Sequence, residues 1–287
     1  MTLSAGPAAA GLLLLGLLLC ASLAAAQGDP KRGEYLAKAG GCLGCHTEAR
    51  EGAAPYAGGR ALETPFGVFY GPNITPHAQA GLGRWNEADF MRAMREGRRP
   101  DGAHYYPAFP YPSFTKISDA DLRDLWAYLR SLAPSERASR PHELKLLYRW
   151  RFLVGIWKWL FFTPGPFIAE AQRSPALNRG AYLVQALGHC GECHTPRNWL
   201  GAMKADRFLG GVKGDDGSPN LTPTRLKKWS DGELKDFLGS GMTPDGDVTG
   251  DTMGEVIKNT TGQLSAQDLD AVVAYLRSLP PLPDEPK

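Results

Sequence analysis

The sequence predicts an all-α protein: two tandem copies of one small helical domain, joined by an aromatic-rich linker. Three observations carry this. Landmarks recur in the same order at a nearly constant offset. Apolar residues fall at helical spacing within each copy. No strand pattern rises above noise. The copies are bounded at 29–133 and 174–280, with the linker at 134–173.

The offsets are explicit. Arg32-Gly33-x-Tyr35-Leu36 recurs as Arg179-Gly180-x-Tyr182-Leu183, 147 residues on. Cys42 pairs with Cys190 at 148, and Trp85 with Trp229 at 144. Asn73-Ile74-Thr75-Pro76 recurs as Asn220-Leu221-Thr222-Pro223 at 147, and Ala127 to Leu132 recurs as Ala274 to Leu279 at 147. The chain of 287 residues suits about two domains. It is 43% hydrophobic and 22% charged, which excludes a disordered chain and a polytopic membrane protein. Its net charge of +2 gives no basic excess for nucleic acid.

Residues 1–26 read as a secretory signal peptide, with a Leu-rich run from Gly11 to Leu19 and a small-residue site at Ala24-Ala25-Ala26. The n-region lacks Lys and Arg, and an uncleaved anchor is the alternative. Cys20 follows Leu19, where a lipoprotein site would want a small residue, so lipidation is not expected.

Each copy then opens on a short helix in which Gly33 or Gly180 permits close approach of another helix, despite a propensity cost of about 1 kcal/mol. Asn86 with Asp89, and Ser230 with Glu233, start a middle helix. Ser118 with Asp121, and Ser265 with Asp268, start a closing helix. Leu122, Leu125, Trp126 and Leu129 form its apolar stripe, repeated by Leu269, Val272, Val273 and Leu276. The Leu, Val and Tyr positions are expected to be core, as are Met91 and Met94. The linker holds seven Lys or Arg against three Asp or Glu, interleaved with Trp150, Phe152, Trp157, Trp159, Phe161 and Phe162. Two readings stay open for 149–162: a basic amphipathic helix on a membrane surface, or a staple whose aromatics pack between the domains. One face packed and the basic face exposed would satisfy both.

The four cysteines after residue 26 form two pairs, Cys42-Leu43-Gly44-Cys45-His46 and Cys190-Gly191-Glu192-Cys193-His194. Both are C-x-x-C-H, the attachment motif for c-type haem. Two thiols at this spacing reach the two vinyl carbons on one porphyrin edge. The adjacent His then faces the iron. A disulfide, a zinc half-site or a thioredoxin-like pair explains one such motif but poorly explains two, each followed by Thr. Two covalently bound haem c groups are expected, held by Cys42, Cys45, Cys190 and Cys193, with His46 and His194 as iron ligands.

The order Gly-x-Tyr-Leu, C-x-x-C-H-T, Asn-x-Thr-Pro, Trp, "YPAFPYPSF" and "YLRSL" resembles the dihaem cytochromes c that serve as subunits of periplasmic alcohol, aldehyde and sugar-acid dehydrogenases. The resemblance covers nearly all of the chain beyond residue 28. It implies two class I cytochrome c folds, a periplasmic location and electron transfer to the respiratory chain. By the same resemblance the carbonyls of Pro72 and Pro219 orient the two histidines, and Arg60 is a candidate partner for a haem propionate.

A distal Met normally completes such an iron and raises its potential. Met253 in "GDTMGEV" matches the family's ligand position, with Met242 as competitor. The first copy has Phe109 where the family often has Met, and Phe cannot ligate iron. His104 is the best remaining donor there, with Tyr105, Tyr106 or an open position as alternatives.

The expected role is a one-electron relay rather than an enzyme, since no general acid–base cluster stands out. A periplasmic dehydrogenase would be the donor and another cytochrome or a terminal oxidase the acceptor. The alternative is a dihaem enzyme of peroxidase or thiosulfate-oxidising type, using an open or unusually ligated haem one. A haem-based sensor is disfavoured because no output domain is present.

Overall fold

The computed structural model describes residues 28–212 and 217–284. The signal-peptide reading of 1–26, with Cys20, lies outside the described residues.

In the first copy, α1 (Pro30–Ala39) is started by Asp29, whose side chain accepts from Lys31 N, and by Pro30 in the first turn. The C-x-x-C-H turn is α2 (Cys42–His46). The middle helix α3 (Glu87–Glu96) opens with a reciprocal capping box between Asn86 and Asp89 and closes at Gly97 in the left-handed region. A short α4 (Tyr111–Phe114) leads into the closing helix α5 (Asp119–Ser131), capped by Ser118. After the linker helix α6 (Arg151–Phe161) the order repeats. It runs α7 (Pro175–Tyr182), α8 (Gly191–His194), α9 (Pro223–Leu226), α10 (Asp231–Ser240), α11 (Asp251–Asn259) and α12 (Ala266–Ser278).

The first and closing helices of each copy cross at a glycine. A Cβ on Gly33 would fall 1.9 Å from Asp124 O, and one on Gly180 would fall 1.9 Å from Ala271 O. Without that glycine the backbones could not meet.

The change of offset from 147 to 148 has a structural cause. Residues Leu183–Leu187 continue α7 as a π turn, closed by Gly188 N to Leu183 O at 2.7 Å. In the first copy the corresponding Gly40 N bonds Leu36 O at 2.8 Å, one residue closer. The second copy absorbs its extra residue there, at the C-terminal end of α7.

Buried residues of both copies form one continuous core. Leu36, Ala37 and Leu122 of the first join Tyr182, Leu187 and Val272 of the second. Met94 belongs to it and Met91 packs against it. Across this seam run two matching bonds. Tyr35 Oη donates to Asp268 Oδ2 at 2.5 Å, and Tyr182 Oη donates to Asp121 Oδ2 at 2.5 Å. Each hydroxyl also accepts from a helix-capping amide, Ser265 N or Ser118 N, at 3.1 Å. These tyrosines therefore do more than the core packing expected of them: they link the copies in a pseudo-twofold pattern.

The chain is mainly helical, but the expectation of no strands needs correction. Strands β1 (Ala61–Thr64), β2 (Gly67–Tyr70) and β3 (Glu143–Leu144) form an antiparallel sheet in the order β1-β2-β3. Gly67 makes the hairpin possible at φ +123°. The strands are too short to show a period, and β3 comes from the linker, 73 residues beyond Tyr70.

The segment after each closing helix also has a matched task. Asn73 Nδ2 donates to Ser135 O at 2.9 Å, and Asn220 Nδ2 donates to Leu282 O at 2.9 Å, 147 residues on in both partners. These bonds hold the Asn-x-Thr-Pro loops under the returning chain.

Helix α6 reverses the expected orientation. Val154 and Lys158 are buried against the first copy, while Phe152, Ile156, Trp159 and Leu160 are exposed. Lys158 Nζ donates to the carbonyls of Glu96 and Gly97 at the C-terminus of α3, where a cation is favoured. Arg151 donates to His104 O at 2.8 Å. Two linker aromatics reach the second copy: Trp157 donates from Nε1 to Leu200 O at 3.0 Å, and the Phe167 ring lies 5.7 Å from that of Tyr182. Among the described residues, no helix is long and apolar enough to cross a membrane.

Candidate haem-binding site

The two C-x-x-C-H turns lie next to each other across the seam. His189 stands immediately before Cys190, at the position Gly41 holds before Cys42. Gly41 has φ +63°, and His189, although not a glycine, has φ +39°. The His189 imidazole faces the backbone of Gly40 and the edge of Phe114, whose ring centroid is 5.4 Å away. Burial lowers the pKa of this imidazole, partly offset by Glu192 and the backbone. Glu192, inside the second motif, accepts from Ser113 Oγ of the first copy at 2.9 Å.

Among the described residues no disulfide joins Cys42, Cys45, Cys190 or Cys193, which leaves all four sulfurs for thioether bonds. Burial pushes the Cys42 and Cys190 thiols up to about 12, so both are neutral in an apolar setting. That is the opposite of an activated redox dithiol, which needs a depressed thiol pKa. No group of three or more His, Cys, Asp or Glu side chains able to hold a bare metal ion occurs among the described residues.

His46 Nδ1 lies 2.8 Å from Pro72 O, and His194 Nδ1 lies 2.7 Å from Pro219 O. A carbonyl at Nδ1 fixes the tautomer with its proton there and turns Nε2 toward a metal. Burial lowers both imidazole pKa values, and the two carbonyls raise them in part. The fit to haem rests on this donor set: two neutral thiols and an oriented neutral imidazole per turn. Tyr111 adds an orphan, since its hydroxyl is wholly buried and has no hydrogen-bond partner in the protein.

Met253 is half-buried on α11, whereas Met242 is 53% exposed. Helix α11 packs on the first copy's haem turn, where a Cβ on Gly44 would fall 3.3 Å from Asn259 Nδ2. Arg60 pairs with Glu255 on the same helix, and its charge lowers the Cys45 thiol against the burial that raises it. Arg60 is thus beside the first motif and bound to the second copy.

His104 is seated on α6. Its Nδ1 is 3.3 Å from Lys158 Nζ, and a Cβ on Gly155 would fall 2.9 Å from Nε2. Both nitrogens adjoin the linker helix. Phe109 packs on the common core and meets the Tyr105 ring at 5.3 Å. Trp85 and Trp229 are half-buried against that core. Sequence reasoning missed His189, the Tyr–Asp bonds and Glu192. The available signal was the recurrence of Tyr and Asp at the same offset.

Two repeated helical modules, each presenting a haem-attachment turn, define a dihaem c-type protein. The cytochrome c family matches residues 30–133 and again 177–280, and the chain belongs to that family. It carries two covalently bound haem c groups. It is 43% identical to a diheme cytochrome c-type protein of Cereibacter sphaeroides, over 88% of this chain and 86% of that one. It is 38% identical to the fructose dehydrogenase cytochrome subunit of Gluconobacter japonicus, over 87% of this chain and 52% of the relative. To the cytochrome c subunit of the quinone alcohol dehydrogenase of Gluconobacter oxydans it is 36% identical, over 88% and 55%. The chain thus spans about half the length of these two dehydrogenase subunits.

Proposed function

We propose that this protein is a periplasmic electron relay, taking electrons from a dehydrogenase and passing them singly to another cytochrome or a terminal oxidase of the respiratory chain. The observation that carries this is the adjacency of the two haem-attachment turns across one shared core. Each bound haem supplies a one-electron iron couple. Cys42 and Cys45, and Cys190 and Cys193, hold the porphyrin edges. His46 and His194 present Nε2 to the irons, and the carbonyls of Pro72 and Pro219 keep their rings aligned. Met253 is the proposed sixth ligand in the second copy. His189, Phe114 and the core around Leu187 exclude water between the turns.

Haem one is proposed to lack a methionine ligand, since Phe109 takes that place. His104 is the donor expected from sequence, but it is seated on α6, and Tyr106 Oη donates to Tyr148 O at 2.8 Å, which leaves Tyr105 or an open position as the reading proposed. Arg60 is proposed to steady a propionate while bound to Glu255.

Redox titration of the purified protein, followed by its visible spectrum, tests the relay. Two distinct one-electron steps, and reduction by a dehydrogenase, are the expected result. Substrate-dependent peroxide turnover would favour the enzymatic reading instead.

A further inference from the structure

We infer that the outward face of α6 is a membrane-docking surface for anionic lipid. This goes beyond the relay reading and can fail without it.

The helix is inside-out for a soluble protein. Its inward side carries Arg151 and Lys158, both satisfied by backbone carbonyls. Its outward side carries Phe152, Ile156, Trp159 and Leu160, with Phe152 63% and Trp159 83% exposed. A helix folding only for its own domain would turn these faces the other way. The apolar surface continues beyond the helix. Leu146, Leu147 and Trp150 precede it and are exposed. Trp157 joins it to Leu200, next to Trp199 in the loop after the second haem turn, and Trp199 is 91% exposed. Large apolar side chains left exposed at this many positions of one segment mark an interaction site.

Charge identifies the occupant. From Leu144 to Ala169 the chain has no Asp or Glu, and of its four cations Arg151 and Lys158 face inward, which leaves Lys145 and Arg149 for the outer surface. Lys145 and Arg149 are exposed where the helix begins. Cations at the edge of an apolar face, with Trp at its rim, match the headgroup and acyl boundary of an anionic bilayer. Docked this way, α6 lies along the surface, and the loop of Trp199 brings the second haem turn beside the membrane.

The test uses the processed dihaem protein without residues 1–26, so that the apolar run at 11–19 does not contribute. It is sedimented with vesicles of phosphatidylglycerol and phosphatidylcholine in equal parts, and with phosphatidylcholine alone. The wild type is expected to bind the mixed vesicles more tightly, and less so at high salt. The variant F152S/I156S/W159S changes only exposed side chains. It is expected to keep its haem spectrum and lose binding by about tenfold or more. Brominated lipid is expected to quench wild-type fluorescence more than that of Trp159→Phe. Equal binding by the triple variant, equal binding to both vesicle types, or equal quenching would each overturn the proposal. So would a wild type that stays in solution at all salt concentrations, which would reassign the face to a protein partner.

Discussion

Tyr182 Oη donates to Asp121 Oδ2 at 2.5 Å across the seam between the two copies. Its counterpart Tyr35 does the same to Asp268, so each closing helix has its capped first turn tied to the other copy's first helix. Burial and the neighbouring carboxylate push the Tyr182 hydroxyl above its ordinary pKa, which keeps it a donor. Replacing Tyr182 with Phe leaves Asp121 held by Arg32 alone. We expect a loss of about 1.5–3 kcal/mol, the range for a hydrogen bond to a charged group. Denaturant midpoints at constant slope measure it, and a loss under 0.5 kcal/mol, on the order of surface substitutions, would contradict this role.

His189 occupies a left-handed backbone position where the first copy has glycine. His189→Gly relieves roughly 1–3 kcal/mol of strain but removes the side chain between the haem turns. The variant is expected to unfold at about the wild-type midpoint, with a changed separation between its two reduction potentials. Unchanged potentials would make the residue merely structural.

Met253→Ala is expected to abolish the methionine–iron charge-transfer band and lower the potential of one haem only. His104→Ala is expected to leave the spin state of both haems unchanged, because its nitrogens adjoin Gly155 and Lys158. A high-spin shift in that variant's spectrum would make His104 an iron ligand after all.

Lys158 titrates at about 8, below its ordinary 10.5, chiefly through burial and also through the charge of Arg98. Below pH 8 it is protonated in folded and unfolded chains alike and adds no pH dependence. Between pH 8 and 10.5 the unfolded chain holds the extra proton, so stability should rise with pH. Thermal midpoints across that window should climb in the wild type and flatten in Lys158→Met.

Covalent chemistry and duplication were readable because each leaves a local, repeated trace. The C-x-x-C-H pairs, the caps at Asn86 and Ser230 and the glycines at 33 and 180 need only short spacing. What sequence missed is long-range. Strand β3 pairs with a partner more than seventy residues away. The tyrosine hydroxyls reach acids 61 and 233 residues distant. The orientation of α6 was misread because amphipathic spacing gives two faces without saying which one turns inward.

The common interior also constrains how the protein is made. Leu36 and Leu122 touch the same core as Leu187 and Val272, so a half-synthesised chain has no complete hydrophobic interior to close. The polypeptide should therefore remain open to haem attachment at both sites until the second copy has emerged. A defect in loading either cofactor would then compromise folding of the whole chain rather than yield a working half.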